Sequence, residues 1–437
     1  MITIKLPYTA NDEFKDFLKI LRKQYTSVIH WSYNRFKEGL KEKDIRLFSK
    51  NLNHIENLDS WFIQSAIYDG KGIFQRNGQE KVIFGGRGNL KRRFLNKITN
   101  EQWKELRLEN ICSIGESPQK GNRKFDLQII EENKIIFKPS KKNHFELKLP
   151  KLNKELKKKL YILQEKTENK EIPVTISLDE KYIYLTFDEI IYQKREERKF
   201  IQNRVLAIDL NPNYIGYSIL DWKDEDHFEV VEKSLFDLKY FNQKTEKSSN
   251  SKEQKYLNNK LKNETIEISK LLIQKALHYQ VEQIVVEDLN IKSKQNNKGK
   301  TFNRLVNNRW LRNLFIGNLR KRCRIENIKL KEVHPAYSSF IGNLLYSNDK
   351  TPDPIASSIE LSRRSLYDFY PKLNLSGLFL RWKDVVLKDK FDSWKKLYDF
   401  IVKKSKLKYR FPLEEGKFSK VFSLRNINSN IYIHLYN

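Results

Sequence analysis

Apolar and polar positions change rhythm several times along the chain. Ile2 to Tyr8 alternates with the period of a strand, and beyond Asn11 the residues Phe14, Phe17, Leu18 and Leu21 recur at three and four, which predicts a helix. Helical segments carrying Trp31, Trp61 and Trp103 continue to about Leu108, with the tryptophans expected in the core and breaks expected at Gly70-Lys-Gly72 and Gly85-Gly-Arg-Gly88. From Phe125 the period returns to two, and residues 125–130, 134–138, 144–149, 173–178 and 181–187 read as short strands forming two or three hairpins. After a charged linker at 194–199 come an apolar strand, Val205 to Leu210, a second from Ile215 to Leu220 beyond the Asn211-Pro-Asn213 turn, and a third from Phe228 to Ser234. A long helical pattern ends near His278, Gln283 to Leu289 reads as a buried strand, and a polar loop at 292–303 leads to a helix carrying Leu305, Trp310, Leu311, Leu314, Phe315 and Leu319. Ile328 to Val333 is the last expected strand before a further helix.

Three strands, helix, strand, helix, strand, helix is the element order of an α/β ribonuclease-H-like domain, expected here over residues 201–370. Residues 1–8 and 125–200 read as a β-rich module with residues 9–124 as its helical insert, while 371–437 mixes apolar and basic residues without a motif that can be assigned. A length of 437 residues is enough for two or three domains, each with its own core. Charge narrows the partners: 84 Lys and Arg face 55 Asp and Glu, a formal +29, which calls for a large polyanion. Nucleic acid fits better than an anionic membrane surface, because no isolated basic amphipathic helix stands out. With 39% hydrophobic and 12% aromatic residues the chain is not a disordered basic tail. Two cysteines, Cys112 and Cys323, can neither build a disulfide framework nor fill a tetrahedral zinc site. No apolar run has the length to span a bilayer, and Met1 to Pro7 lacks the apolar stretch of a signal peptide, so a cytoplasmic protein is expected.

Three carboxylates fall where carboxylates are costly. Asp209 lies inside the apolar strand Val205-Leu-Ala-Ile-Asp-Leu210, where an unpaired charge loses several kcal/mol of solvation. Glu287 repeats the arrangement at the carboxyl end of Gln283-Ile-Val-Val-Glu287, the end at which open α/β sheets gather ligands. Asp353 precedes a helix bearing Ile355, Ile359, Ser362 and Leu366, and for this residue an ordinary N-cap is the competing explanation. Asp288 points to the opposite face by strand alternation and reads as a surface or capping acid. Crowded carboxylates repel one another, and hard Mg²⁺ turns that repulsion into a site. Two Mg²⁺ ions, bridged by Asp209 and held individually by Glu287 and Asp353, are the arrangement for metal-dependent phosphodiester hydrolysis.

Four segments together resemble the split RuvC-like nuclease of TnpB proteins of insertion-sequence transposons and of the type V CRISPR effectors. They are Ala207-Ile-Asp209-Leu with Gly216 after it, Ile284-Val-Val-Glu287-Asp-Leu-Asn290, Pro335-Ala-Tyr-Ser-Ser339, and Asp353-Pro-Ile-Ala356-Ser357. The resemblance covers residues 203–370, and in layout the first part is similar to that family's wedge module, of β-barrel type, with an inserted helical recognition lobe. It implies that Asp209, Glu287 and Asp353 are the catalytic triad of a DNA endonuclease, that a guide RNA directs it to double-stranded DNA, and that a short flanking DNA motif is read by the N-terminal half. The paired cysteines that most TnpB proteins place after the Tyr-Ser-Ser stretch are absent, so no zinc is expected, and Ile355 stands where the family often has Asn. Guide and target need phosphate neutralisation, for which the candidates are Lys292, Lys294, Lys298 and Lys300 in the loop after Glu287, and Arg309, Arg312, Arg320, Lys321 and Arg322 on the next helix. Arg363 and Arg364 either contact the scissile strand or sit on a surface. The competing readings are a nuclease-inactive RNA-guided DNA-binding repressor and an unguided ribonuclease-H-fold nuclease. Oligomeric state is left open.

Overall fold

The computed structural model describes residues 1–404 apart from 53–54, 57, 141–142, 195–197, 240, 242, 245–249, 289–310, 349, 372 and 374–390. The chain forms two compact units, Met1–Tyr192 and Gln193–Asn437. No helix of the described residues is long and apolar enough to cross a membrane.

In the first unit, β1 (Ile2–Pro7) is followed by five helices, α1 (Asp12–Lys37), α2 (Glu42–Phe48), α3 (Ser60–Asn77), α4 (Arg87–Phe94) and α5 (Asn100–Glu105). Strands β2 (Ile111–Ser113), β3 (Gly115–Glu116), β4 (Gly121–Asn122), β5 (Phe125–Gln128), β6 (Lys134–Phe137) and β7 (Phe145–Lys148) come next, with the single turn α6 (Ile129–Glu132) before β6. Helix α7 (Lys154–Glu168) and strands β8 (Thr175–Leu178) and β9 (Tyr182–Phe187) complete the unit. The first strand is not an isolated leader: β1 pairs with β9 in a sheet of order β1-β9-β8-β2, so the five helices are inserted between two members of one sheet. A three-stranded sheet, β5-β6-β7, joins it through the reciprocal Thr9–Lys148 backbone bonds of 2.9 and 3.0 Å. Alternation explains the burial: Ile183, Leu185 and Phe187 of β9 point into the core while their neighbours face out.

Gly70 and Gly72 do not break a helix as their spacing suggests; both lie inside α3. The reason at Gly70 is packing, since a Cβ there would stand 2.9 Å from the carbonyl oxygen of Ile29 and would overlap Ser32, so glycine lets α3 press against α1. Gly85 and Gly86 do interrupt the helices, with φ of +83° and +84°. Among the tryptophans, Trp31 packs on the core, Trp61 donates from Nε1 to Ser113 Oγ at 3.1 Å, and the Trp103 ring lies against Gly85.

The second unit is built on β10 (Ile201–Leu210), β11 (Tyr214–Trp222) and β12 (Phe228–Asp237), then α8 (Ser251–His278), β13 (Val281–Glu287), α9 (Arg312–Ile325), β14 (Lys329–Val333), α10 (Ser338–Tyr346), α11 (Asp353–Leu366) and α12 (Trp394–Tyr398). Leu305 and Trp310, expected on the same helix as Phe315, lie outside the described residues. Its five strands run in the order β12-β11-β10-β13-β14, antiparallel across the first three and parallel through β13 and β14. This is the ribonuclease-H-like sheet. Helices cover both faces. Leu206, Ile208, Ile284 and Val286 face α8 and α9 through Leu272 and Phe315, while Val205, Ala207 and Val285 face Ile355 and Ile359 of α11. A further apolar cluster joins Phe340 and Leu344 of α10 to Trp394 and Leu397 of α12.

Candidate active site

Strand parity decides where the two strand-borne acids go. In β10, Val205 and Ala207 face α11, so Asp209 faces it too; in β13, Val285 does so and Glu287 follows on the same side. The two strands run parallel with Ile208 opposite Val286, which leaves Asp209 and Glu287 as the next residues along neighbouring strands, roughly 4.8 Å apart in the direction of the ladder. Both are buried, at 3% and 7% exposure.

The third acid is brought in by a glycine. Across the β10–β11 ladder Asp209 is paired with Gly216, and a Cβ on Gly216 would lie 2.5 Å from the backbone carbonyl of Pro354. The first turn of α11 therefore rests directly on the strand position opposite Asp209, and Asp353 opens that turn. No side chain could intervene. Asp353 is not the N-cap: Pro352 occupies that position without a side-chain bond, and the Asp353 carboxylate accepts a hydrogen bond from the Asn343 side-chain amide of α10. Helix capping, the ordinary explanation for an Asp before Pro354, is thus not what holds it here.

Each acid meets a neutral donor. Asn211 donates to Asp209 Oδ2 at 2.6 Å, and the Ser338 hydroxyl donates to Glu287 Oε1 at 2.6 Å. Burial pushes the Glu287 carboxyl above the usual carboxylate range and the nearby Asp353 adds to this, against the Ser338 hydrogen bond and the charges of Arg364 and Arg312. Ser338 is presented by a tight turn in which Tyr337 adopts φ +60°, and Arg364 fixes that turn by donating to the carbonyl oxygens of His334 at 2.9 Å and Ala336 at 2.8 Å. Sequence reasoning assigns no role to Ser338, Asn343 or Asn211, and Arg364, expected on the scissile strand or on a surface, is instead buried and holds the turn that presents Ser338. Only the Pro335-Ala-Tyr-Ser-Ser339 segment carried a signal, and it named no partner for its serines.

The donor set is oxygen throughout, which suits a hard divalent cation, and the mutual repulsion of Glu287 and Asp353 is what such a cation relieves. With the side chains as they stand, no group of three or more His, Cys, Asp or Glu among the described residues is close enough to hold a metal. The backbone gathers the three acids; their carboxylates are engaged by Asn211, Ser338 and Asn343.

The basic candidates divide. Lys292, Lys294, Lys298, Lys300 and Arg309 lie outside the described residues. Arg312 is half-buried and donates to the backbone oxygen of Glu287 at 3.0 Å, Arg320 pairs with Glu332, and Arg322 is half-buried. Arg363 corrects its expectation. It is fully buried, with its guanidinium bonded to Glu360, Glu225 and the carbonyl oxygens of Asp368 and Phe369, which leaves no donor for a phosphate.

The SSO2105 N-terminal domain family matches residues 1–196. The TnpB-like protein MJ0751 of Methanocaldococcus jannaschii is 27% identical over 175 residues, covering 36% of this chain and 60% of that protein. The chain resembles a TnpB-like protein. It spans about three fifths of that curated relative's length. Among solved structures, a Cas12f1–sgRNA–target DNA complex aligns with a TM-score of 0.46 at 12% identity over 80% of this chain and 83% of that one. Thermus thermophilus RuvC bound to a Holliday junction substrate aligns at 0.24 and 9%, over 36% and 90%. The ribonuclease-H-like assignment rests on the strand order and directions rather than on these alignments.

Proposed function

We propose that the chain is an RNA-guided, Mg²⁺-dependent DNA endonuclease whose acids are Asp209, Glu287 and Asp353. One observation carries this reading: Gly216 seats the first turn of α11 opposite Asp209 while strand parity sets Glu287 beside it, so three carboxylates from distant parts of the sequence share one end of one sheet face. Bound between these acids, a pair of Mg²⁺ ions supplies activation of water on one side of a phosphodiester and stabilisation of the leaving 3′-oxygen on the other. The protein's own part is positional. Ser338 and Asn343 orient Glu287 and Asp353, and Asn211 holds Asp209 until the site is loaded. The formal +29 supports polyanionic partners, a guide RNA and a double-stranded target with a short flanking motif.

The test is to sequence the RNA that purifies with the full chain and to challenge the complex with matching and non-matching DNA. A discrete RNA with a variable end, and cutting of the matching DNA that vanishes with EDTA and with Asp209→Ala, is the expected result. An Asp209→Ala protein that cuts as fast as the parent at the same Mg²⁺ sinks the assignment of the acids. Absence of discrete RNA with Mg²⁺-dependent cutting retained supports an unguided nuclease instead, and guided binding without cutting supports a repressor.

A further inference from the structure

Helix α4 is a helix without a core. None of its eight residues is buried, and at its end Phe94 is 78% exposed and Leu95 55% exposed. A helix this short is marginal in water by itself, so its geometry depends on its flanks. Those flanks are firm. Gly85 and Gly86 turn the chain with positive φ, Trp103 and Arg107 pack on Gly85, and α5 opens with a reciprocal capping box between Thr99 and Gln102. A well-held scaffold thus projects a helical segment none of whose side chains is fully buried.

The composition of that segment names its partner. Residues 81–97 contain Lys81, Arg87, Lys91, Arg92, Arg93 and Lys97 and no Asp or Glu. Arg87, Lys91 and Lys97 form no ion pair among the described residues, and Arg92 has only an amide partner, Asn89, at 3.3 Å. Helical spacing puts Arg87, Lys91, Phe94 and Leu95 on one stripe, so the cations lead to an exposed aromatic ring. Cations tracking a phosphate backbone beside a ring that offers a stacking face is the chemistry of single-stranded nucleic acid binding. Two apolar side chains make too small a face for a bilayer.

We propose that α4 and its flanks, residues 81–97, are a docking surface for single-stranded RNA, with Phe94 stacked on an unpaired base and Arg87, Lys91 and Arg92 on the neighbouring phosphates. RNA is the source because folded RNA displays unstacked bases in loops and bulges, whereas the bases of duplex DNA are shielded. The surface lies in the first unit and does not depend on the acids of the second.

The experiment is fluorescence anisotropy on the full chain, freed of co-purified nucleic acid in high salt and assayed in EDTA, so that its outcome is independent of any metal site. The probes are a short unstructured RNA, the same sequence as single-stranded DNA, and its duplex, with phosphatidylserine vesicles in a parallel sedimentation assay. Phe94→Ala weakens RNA binding by about tenfold, weakens DNA strand binding less and duplex binding least, and Phe94→Tyr restores it. Lys91→Glu flattens the dependence of RNA affinity on salt. Because Phe94 and Lys91 are exposed, these variants fold, which an unchanged circular dichroism melt verifies. Phe94→Ala that binds RNA like the parent overturns the proposal, as does an equal loss for all three nucleic acids; a loss confined to vesicles makes the segment a membrane contact instead.

Discussion

In α11 the guanidinium groups of Arg363 and Arg364 lie inside the protein, both bonded to the buried carboxylate of Glu360, while in α4 Arg87, Lys91 and Arg92 stand in solvent with no carboxylate joined to them among the described residues. Both helices are arginine-rich, and the difference lies in what surrounds them. Every residue of α11 from Pro354 to Ser365 is buried, so its charges had to be neutralised within the fold. Its hydroxyls follow the same rule: Ser358 meets Ser218 at 2.9 Å, Ser362 accepts from Trp222 Nε1 at 2.8 Å, and Ser365 accepts from Gln283 at 3.1 Å. Helix α4 obeys no such constraint because none of its residues is fully buried. Basic charge in this protein therefore stands in two kinds of setting, and burial tells them apart where sequence composition does not.

The sharpest way to break this contrast is Glu360→Gln. It preserves the shape of the side chain but leaves two buried guanidinium groups without their shared anion, for which a loss of about 3–5 kcal/mol is expected. The measurement is denaturant unfolding of the full chain, reading the transition of the second unit. The turn that presents Ser338 depends on Arg364, so the same variant is expected to loosen the setting of Glu287. A loss below about 1 kcal/mol, the value typical of an exposed pair, means that α11 holds its charges no more tightly than a surface helix does.

The sequence made the sheet legible for the same reason that it hid the arginines. Apolar runs with acids near their ends, Val205 to Leu210 and Gln283 to Glu287, can be placed because alternation fixes the face of each residue. The order of elements then yields a ribonuclease-H-like sheet, and β1 pairing with β9 fits a first strand that belongs to the later β-rich stretch. What escaped was whatever depends on contacts between elements. Gly70 looks like a breaker until α1 is seen pressing on it, and Asp353 looks like a cap until Asn343 is seen holding it. Arg363 and Arg364 sit beside Ser residues in a pattern polar enough to suggest a surface, and only the three-dimensional arrangement shows both guanidinium groups bonded to the buried carboxylate of Glu360.

A basic group can also enter the interior by giving up its charge, and His30 does so. Its ring packs at 3.7 Å from that of Phe84, and burial, with the charge of Arg107 adding to it, pushes its pKa down from 6.5 to about 4. The unfolded chain therefore binds a proton in the window between these values that the folded chain refuses. The resulting contribution to stability is complete above pH 6.5 and is lost as pH falls through the window toward 4. In His30→Gln the first unit loses less stability than the parent between these two pH values. Parallel curves for parent and variant, measured by denaturant unfolding at a series of pH values, contradict the burial of a neutral imidazole.

The smallest expected effect on stability belongs to α4, and its smallness is the point. Lys91→Glu combined with Arg92→Glu reverses two charges on a helix that buries no side chain, and surface changes of this kind alter stability by no more than about 0.5 kcal/mol. Relief of repulsion among the neighbouring cations even favours the variant slightly, because residues 81–97 carry six basic side chains and no acid to offset them. The same pair of substitutions is expected to remove most of the salt-dependent part of RNA affinity, since it converts two phosphate partners into two repulsive charges. Stability retained while affinity is lost marks charge kept for a partner. Were the double variant instead to destabilise the first unit by an amount like that expected for Glu360→Gln in the second, α4 would be packed in solution, and its cations would belong with those of α11.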